Sequence, residues 1–107
     1  MREVPPYSPQ APTADAVQAM PGLVLLDFGT DWCGHCTAAR TAVEAWLAGH
    51  AGIGHLRIED GRGRPLGRRY GVKLWPTLVL LRDGVEVARV VRPREEHDLA
   101  PLADALG

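Results

Sequence analysis

Cys33 and Cys36 are the only cysteines of the chain, and they flank Gly34-His35 in the stretch WCGHC at 32–36. Two thiols at this spacing can form half of a metal site, staple a fold, or exchange electrons with a disulfide. Cys33, Cys36, His50 and His55 formally satisfy the spacing of a two-cysteine, two-histidine zinc site. In such modules, however, the histidines share a helix that follows the cysteines. Here the helical stretch lies between the two pairs, and HAGIGH (50–55) contains two glycines that disfavour helix. As a staple the pair would close too short a loop to remove much unfolded-state entropy. Two inert cysteines packed as small apolar groups are the plain alternative. Redox exchange makes the fullest use of the spacing. Residues i and i+3 on the first turn of a helix share a face, so their sulfurs can bond or part with little backbone motion. The N-terminal thiol, Cys33, would also face the positive end of the helix dipole and unpaired backbone N–H groups, both of which favour thiolate. Cys36, one turn inside, is then the resolving thiol.

The surrounding pattern supplies elements to hold such a pair. LVLLDF (23–28) is continuously apolar except for Asp27, as expected of a central strand covered on both faces. A carboxylate there is costly unless it is exposed or used. After the turn at 29–31, Ala39, Val43, Trp46 and Leu47 recur at helical spacing over 33–48, and Gly49 ends the helix. A strand is expected at 55–59, then the Gly-rich connection 60–65 and a short helix at 66–70. A hairpin over 77–81 and 85–91 turns at Asp83-Gly84. Pro93 breaks the second strand, and 95–106 reads as a terminal helix with Leu99, Leu102 and Leu106 on one face. Prolines at 5, 6, 9 and 12 make the first dozen residues an extended arm along the surface. Thr13 caps a helix over 14–20 that Pro21-Gly22 ends. With no repeat and no linker, one domain spanning 1–107 is expected.

Composition sets bounds on function. Hydrophobic residues make up 46% of the 107 and charged residues 23%, as in an ordinary folded domain. Twelve Lys and Arg against 13 Asp and Glu leave no field to hold nucleic acid or an anionic membrane. No apolar run approaches the ~20 residues of a membrane span, and the first dozen residues lack the apolar core of a signal peptide. The expectation is a monomer in the cytoplasm. The cluster Arg62, Arg64, Arg68 and Arg69 reads as a solvated loop.

LLDFGTDWCGHC (25–36), followed by VKLWPTLVLLRDG (72–84), resembles the thioredoxin family, and the likeness runs from about Thr13 to the C-terminus. The resemblance implies an α/β thioredoxin fold: a mixed, twisted β-sheet flanked by helices, with the CxxC pair at the N-terminus of a helix after a central strand. It implies a thiol:disulfide oxidoreductase in cell redox homeostasis, acting on protein substrates that carry disulfides or thiols. The redox-active disulfide Cys33–Cys36 takes the place of any cofactor or metal, and a reductase or thiol donor recharges it. Asp27 matches the family's buried aspartate, which relays a proton to and from Cys36. Pro76 matches the cis proline that faces the dithiol and shapes the substrate groove. The backbone of Trp75 pairs with an extended client segment, and Trp32 and Gly34 belong to the surface that clients meet.

Several residues depart from the family pattern. His35 replaces the proline usual in cytosolic thioredoxins, and CGHC is the pairing of protein disulfide isomerases. An imidazolium there would stabilise the Cys33 thiolate and make the disulfide a better oxidant. Gly29 stands where an aromatic is common, Thr41 where a proline kinks the helix, and Arg92 where a glycine lines the groove. Each is expected to alter the surface that partners meet. The competing functions are an oxidase or isomerase, and a non-catalytic binding module that keeps the groove without turnover.

Overall fold

In a computed structural model, which describes residues 5–106, the apolar run forms β1 (Leu23–Gly29) at the centre of a four-stranded sheet. Its neighbours are β2 (Gly54–Glu59), which runs parallel to it, and β3 (Thr77–Arg82), which runs antiparallel. β4 (Val85–Val91) closes the hairpin on the far side of β3, giving the order β2-β1-β3-β4. Asp83 at φ 49° and Gly84 at φ 83° make the hairpin turn with left-handed backbone, as its Asp-Gly sequence demands.

Both faces of β1 are covered, which is why its sequence does not alternate. On one face Leu25 packs with Leu78 and Leu80 against Ala42, Val43, Trp46 and Leu47 of α2 (Gly34–Ala48), and against Leu99 and Leu102. On the other, Val24, Leu26 and Phe28 pack with Val79 and Leu81 against Val17 of α1 (Ala14–Gln18) and Leu66 of α3 (Pro65–Arg69). The Thr13 hydroxyl accepts from the N–H of Ala16 at 3.1 Å and caps α1.

The structure departs from the sequence expectation at both ends. The terminal helix is broken into a 3-10 turn, Glu96–Leu99, and a short α4, Ala100–Asp104. Pro101 has no N–H to continue a ladder from the preceding turn, so it sits in the first turn of a new helix. The N-terminal arm does not merely lie along the surface. Ser8 bridges Ile58 in parallel at the outer edge of β2, with Ser8 N–H donating to the Arg57 carbonyl and Glu59 N–H to that of Ser8, both at 2.9 Å. That bridge carries the adjacent Tyr7 into the interior, where it is 5% exposed. Positions 1–4 of the expected arm lie outside the described residues.

Candidate active site

Side chains two apart on a strand share a face, so Leu25, Asp27 and Gly29 of β1 all point toward α2. Parallel pairing sets Arg57 of β2 beside Asp27 and His55 beside Leu25, on that same face. Asp27 is buried at 2% exposure. The outward-facing alternative for this carboxylate is thereby excluded. Its Oδ1 accepts from the Tyr7 hydroxyl at 2.8 Å. Its Oδ2 accepts from Arg57 Nε at 3.2 Å and lies 3.2 Å from His55 Nε2, which donates in its Nε2–H tautomer. Three donors thus satisfy the buried carboxylate, as burial of such a group requires.

Cys33 is the N-cap of α2, and its sulfur accepts from the Cys36 N–H at 3.3 Å, the place a serine or aspartate oxygen takes in an ordinary cap. Both cysteines are free thiols and both are buried, Cys36 the more deeply at 2%. Burial, reinforced by the neighbouring Cys33 sulfur, pushes the Cys36 thiol up to about 12, although the Thr30 backbone and the Tyr7 hydroxyl pull the other way. The side chain of Tyr7 fills the room left by Gly29. A methyl group at Gly29 would come within 2.6 Å of Cys36 Sγ and 2.7 Å of the Tyr7 hydroxyl. Gly29 is therefore a departure in the core beneath the dithiol and not, as expected from the sequence, on the surface that partners meet.

Over the dithiol lies the segment before β3. The Trp75–Pro76 peptide bond is cis, and Pro76 is buried. The Trp75 carbonyl lies 4.0 Å from Cys33 Sγ and accepts from Arg92 Nε at 2.8 Å. Trp75 is half-buried, with its indole N–H donating to Asp60 at 2.8 Å, so it is tied down beside the thiols without being core. Trp32 stands out at 78% exposure, edge-on to Trp75 with ring centroids 5.6 Å apart. Gly34 and His35 are exposed on the first turn of α2. Around Cys33 the structure thus brings together Cys36, Trp75, Pro76, Trp32 and Arg92, with Asp27 beneath.

The histidines of the formal zinc spacing are elsewhere engaged. The His50 ring stacks on Trp46 near the far end of α2, and the His55 ring bonds Asp27. In the basic cluster, Arg64 pairs with Glu59 and donates to the Pro9 carbonyl, while Arg68 and Arg69 are exposed.

Sequence reasoning missed Arg57 and Tyr7. Arg57 carried a signal: it interrupts β2 as Asp27 interrupts β1, with opposite charge. Tyr7, set among prolines, carried none of its own.

Comparison with known proteins places the same residues in context. The family model described as Thioredoxin matches residues 10–105. A thioredoxin of Chlamydia trachomatis is 37% identical over 90 residues, covering 83% of this chain and 85% of its own. A thioredoxin of Chlamydia pneumoniae is 40% identical over 83 residues, 76% of this chain and 79% of that one. Among solved structures, thioredoxin 2 from Pseudomonas aeruginosa PAO1 in its reduced form superposes with a TM-score of 0.85 at 49% identity, covering 95% of this chain and 94% of that one.

Proposed function

The chain belongs to the thioredoxin family and is a thiol:disulfide oxidoreductase, and from that premise we propose that it works as a monomeric, cytoplasmic reductase of protein disulfides. The observation that carries the reading is the pairing of Cys33 Sγ with the Cys36 N–H at a helix N-terminus, above a buried carboxylate. In the reducing direction the Cys33 thiolate attacks a client disulfide, forming a mixed disulfide and releasing one client thiolate. Cys36, deprotonated with help from Asp27, then attacks the Cys33 sulfur, closes the Cys33–Cys36 disulfide and releases the second client thiol. Two electrons pass to the client, and a reductase or thiol donor must return them. No metal, flavin or nucleotide enters these steps.

Trp32, Gly34, Trp75, Pro76 and Arg92 form the client surface in this reading. An extended client strand would pair with the Trp75 backbone, and it meets Arg92 already bonded to that carbonyl. His35 favours the second reading, an oxidase or isomerase, because an imidazolium beside Cys33 would stabilise the thiolate and with it the reduced form. A non-catalytic binding module would not need its two sulfurs in exchange geometry. The test is trapping: Cys36→Ser should accumulate client proteins disulfide-linked to Cys33, and Cys33→Ser should not. Failure of Cys36→Ser to trap any client would refute the exchange.

A further inference from the structure

The resolving step requires Cys36 to lose a proton in a place that opposes it. The thiol is buried, and among the described residues no hydrogen bond joins it directly to the Asp27 carboxylate. What lies between them is the Tyr7 hydroxyl, which donates to Asp27 Oδ1 at 2.8 Å and sits beside Cys36 in one packed cluster, where a methyl group at Gly29 would meet Cys36 Sγ at 2.6 Å and that hydroxyl at 2.7 Å. The Tyr7 ring is held from three sides. The Tyr7 backbone N–H donates to Asp31 Oδ1 at 3.0 Å, the Arg57 guanidinium carbon lies 3.7 Å from the ring centroid, and Gly29 leaves the hydroxyl its place above β1.

We propose that Tyr7 is the proton relay between Cys36 and Asp27, a catalytic role for a residue of the N-terminal arm. The inference rests on reading Cys36 as the resolving thiol and Asp27 as its base. In the starting state the Cys36 S–H donates to the Tyr7 oxygen, whose own O–H donates to the Asp27 carboxylate. As Cys36 attacks the Cys33 sulfur of the mixed disulfide, its proton moves to the Tyr7 oxygen and the Tyr7 proton moves to Asp27 Oδ1. A Cys33–Cys36 bond forms, the bond from Cys33 to the client sulfur breaks, and the electron pair leaves on the client thiolate. Tyr7 ends neutral, now donating toward Cys36. One hydroxyl suffices because it accepts and donates at once.

The phenol is suited to conduct without holding charge. Burial and the neighbouring Asp27 hold its ionisation far above the ordinary tyrosine range, so phenolate does not accumulate. The charged and titratable groups that face this path are Asp27 on β1, Asp31 and Cys33 before α2, Arg40 on α2, and His55 and Arg57 on β2. Asp31, Arg40 and Arg57 border the same cavity of about 30 Å³ as Tyr7 and Cys36. Arg57 opposes the rise of the phenol, and the relay therefore works within a set charge balance.

The reaction of the reduced protein with 5,5′-dithiobis(2-nitrobenzoate) separates the two steps, because Cys33 attack releases the first nitrothiobenzoate and Cys36 attack the second. Tyr7→Phe keeps the ring and removes the hydroxyl. The second release should slow at least tenfold at pH 7, with its pH profile displaced upward, while the first stays within twofold of the parent. A second release with unchanged rate and profile, or equal slowing of both, would overturn the relay. The mass of the parent's product tests the underlying reading separately: it must be the Cys33–Cys36 disulfide with no bound nitrothiobenzoate, and a product carrying nitrothiobenzoate on both sulfurs would refute Cys36 as the resolving thiol. Should Tyr7→Phe fail to fold, Tyr70→Phe leaves Tyr7 as the only tyrosine, and biosynthetic 3-fluorotyrosine then makes its hydroxyl more acidic in place. The second release should shift to lower pH relative to unfluorinated Tyr70→Phe, and an unchanged profile would again overturn the relay.

Discussion

Arg92, in left-handed backbone at φ 52°, donates its Nε to the Trp75 carbonyl at 2.8 Å, beside the Cys33 sulfur. The contact covers an acceptor that an incoming client strand would use. Displacing one exposed hydrogen bond to a charged donor costs about 1 kcal/mol, or roughly fivefold in a rate that depends on docking. Arg92→Gly should raise the second-order rate of insulin disulfide reduction about fivefold. Its stability should change little, because glycine relieves the left-handed backbone while the hydrogen bond is lost. A slower rate would mean that Arg92 binds clients instead of obstructing them.

Arg57 is the buried partner of Asp27, with side-chain exposures of 4% and 3%, and it also donates to the Pro5 carbonyl at 2.5 Å. Removing one member of a buried pair strands the other charge and typically costs about 3–5 kcal/mol. Arg57→Leu should lower the free energy of unfolding by about 3 kcal/mol in urea, with loss of arm anchoring seen as easier proteolysis near residue 8. Asp27→Asn combined with Arg57→Leu should cost less than the sum of the two single changes. Additive costs would contradict the pairing.

How much of this was legible in sequence varied with the range of the interaction. Local signals succeeded: the Thr13 cap, the Asp83-Gly84 hairpin and the helix stop at Gly49 each depend on a few adjacent residues. The burial of Asp27 followed from resemblance, but its partners did not, because Arg57 and His55 meet it only through a register that spans about thirty positions. Tyr7 was the hardest to foresee. Its burial depends on an edge bridge at Ser8 and on the absence of a side chain at Gly29, and neither leaves a periodic trace. The terminal helix was misjudged because the apolar spacing of Leu99, Leu102 and Leu106 runs straight across Pro101, which the ladder cannot.

The Cys36 thiol, pushed by burial up to about 12 from an ordinary 9.0, should be protected from alkylation. At pH 8 that difference lowers its thiolate fraction about 1,000-fold. Iodoacetamide should therefore modify Cys33 alone in the folded, reduced protein, as read by mass spectrometry of peptides. The same shift carries a sign for stability. The folded chain keeps this proton where the unfolded chain loses it, so the contribution is intact below pH 9 and is lost as pH rises toward 12. Equal labelling of both cysteines at pH 8 would contradict the burial of Cys36.

His35 is exposed on the first turn of α2, where its imidazolium would act on Cys33 through solvent-screened charge. His35→Pro should lower the reduction potential of the dithiol by about 30 mV, equivalent to about 1.4 kcal/mol in a two-electron couple. The shift should shrink in high salt. No change in potential would remove His35 from any account of redox direction.

The central claim, that Cys33 and Cys36 form one reversible couple poised for reduction, is tested most directly by equilibrating the protein in glutathione buffers and quantifying both thiols by quenching and mass. The account predicts a single two-electron transition that includes both cysteines, at or below a cytosolic glutathione poise of about −220 to −260 mV. A couple poised near −120 to −180 mV, in the range of about the known oxidases and isomerases, would contradict the reducing direction, and two independent one-thiol transitions would contradict the couple itself.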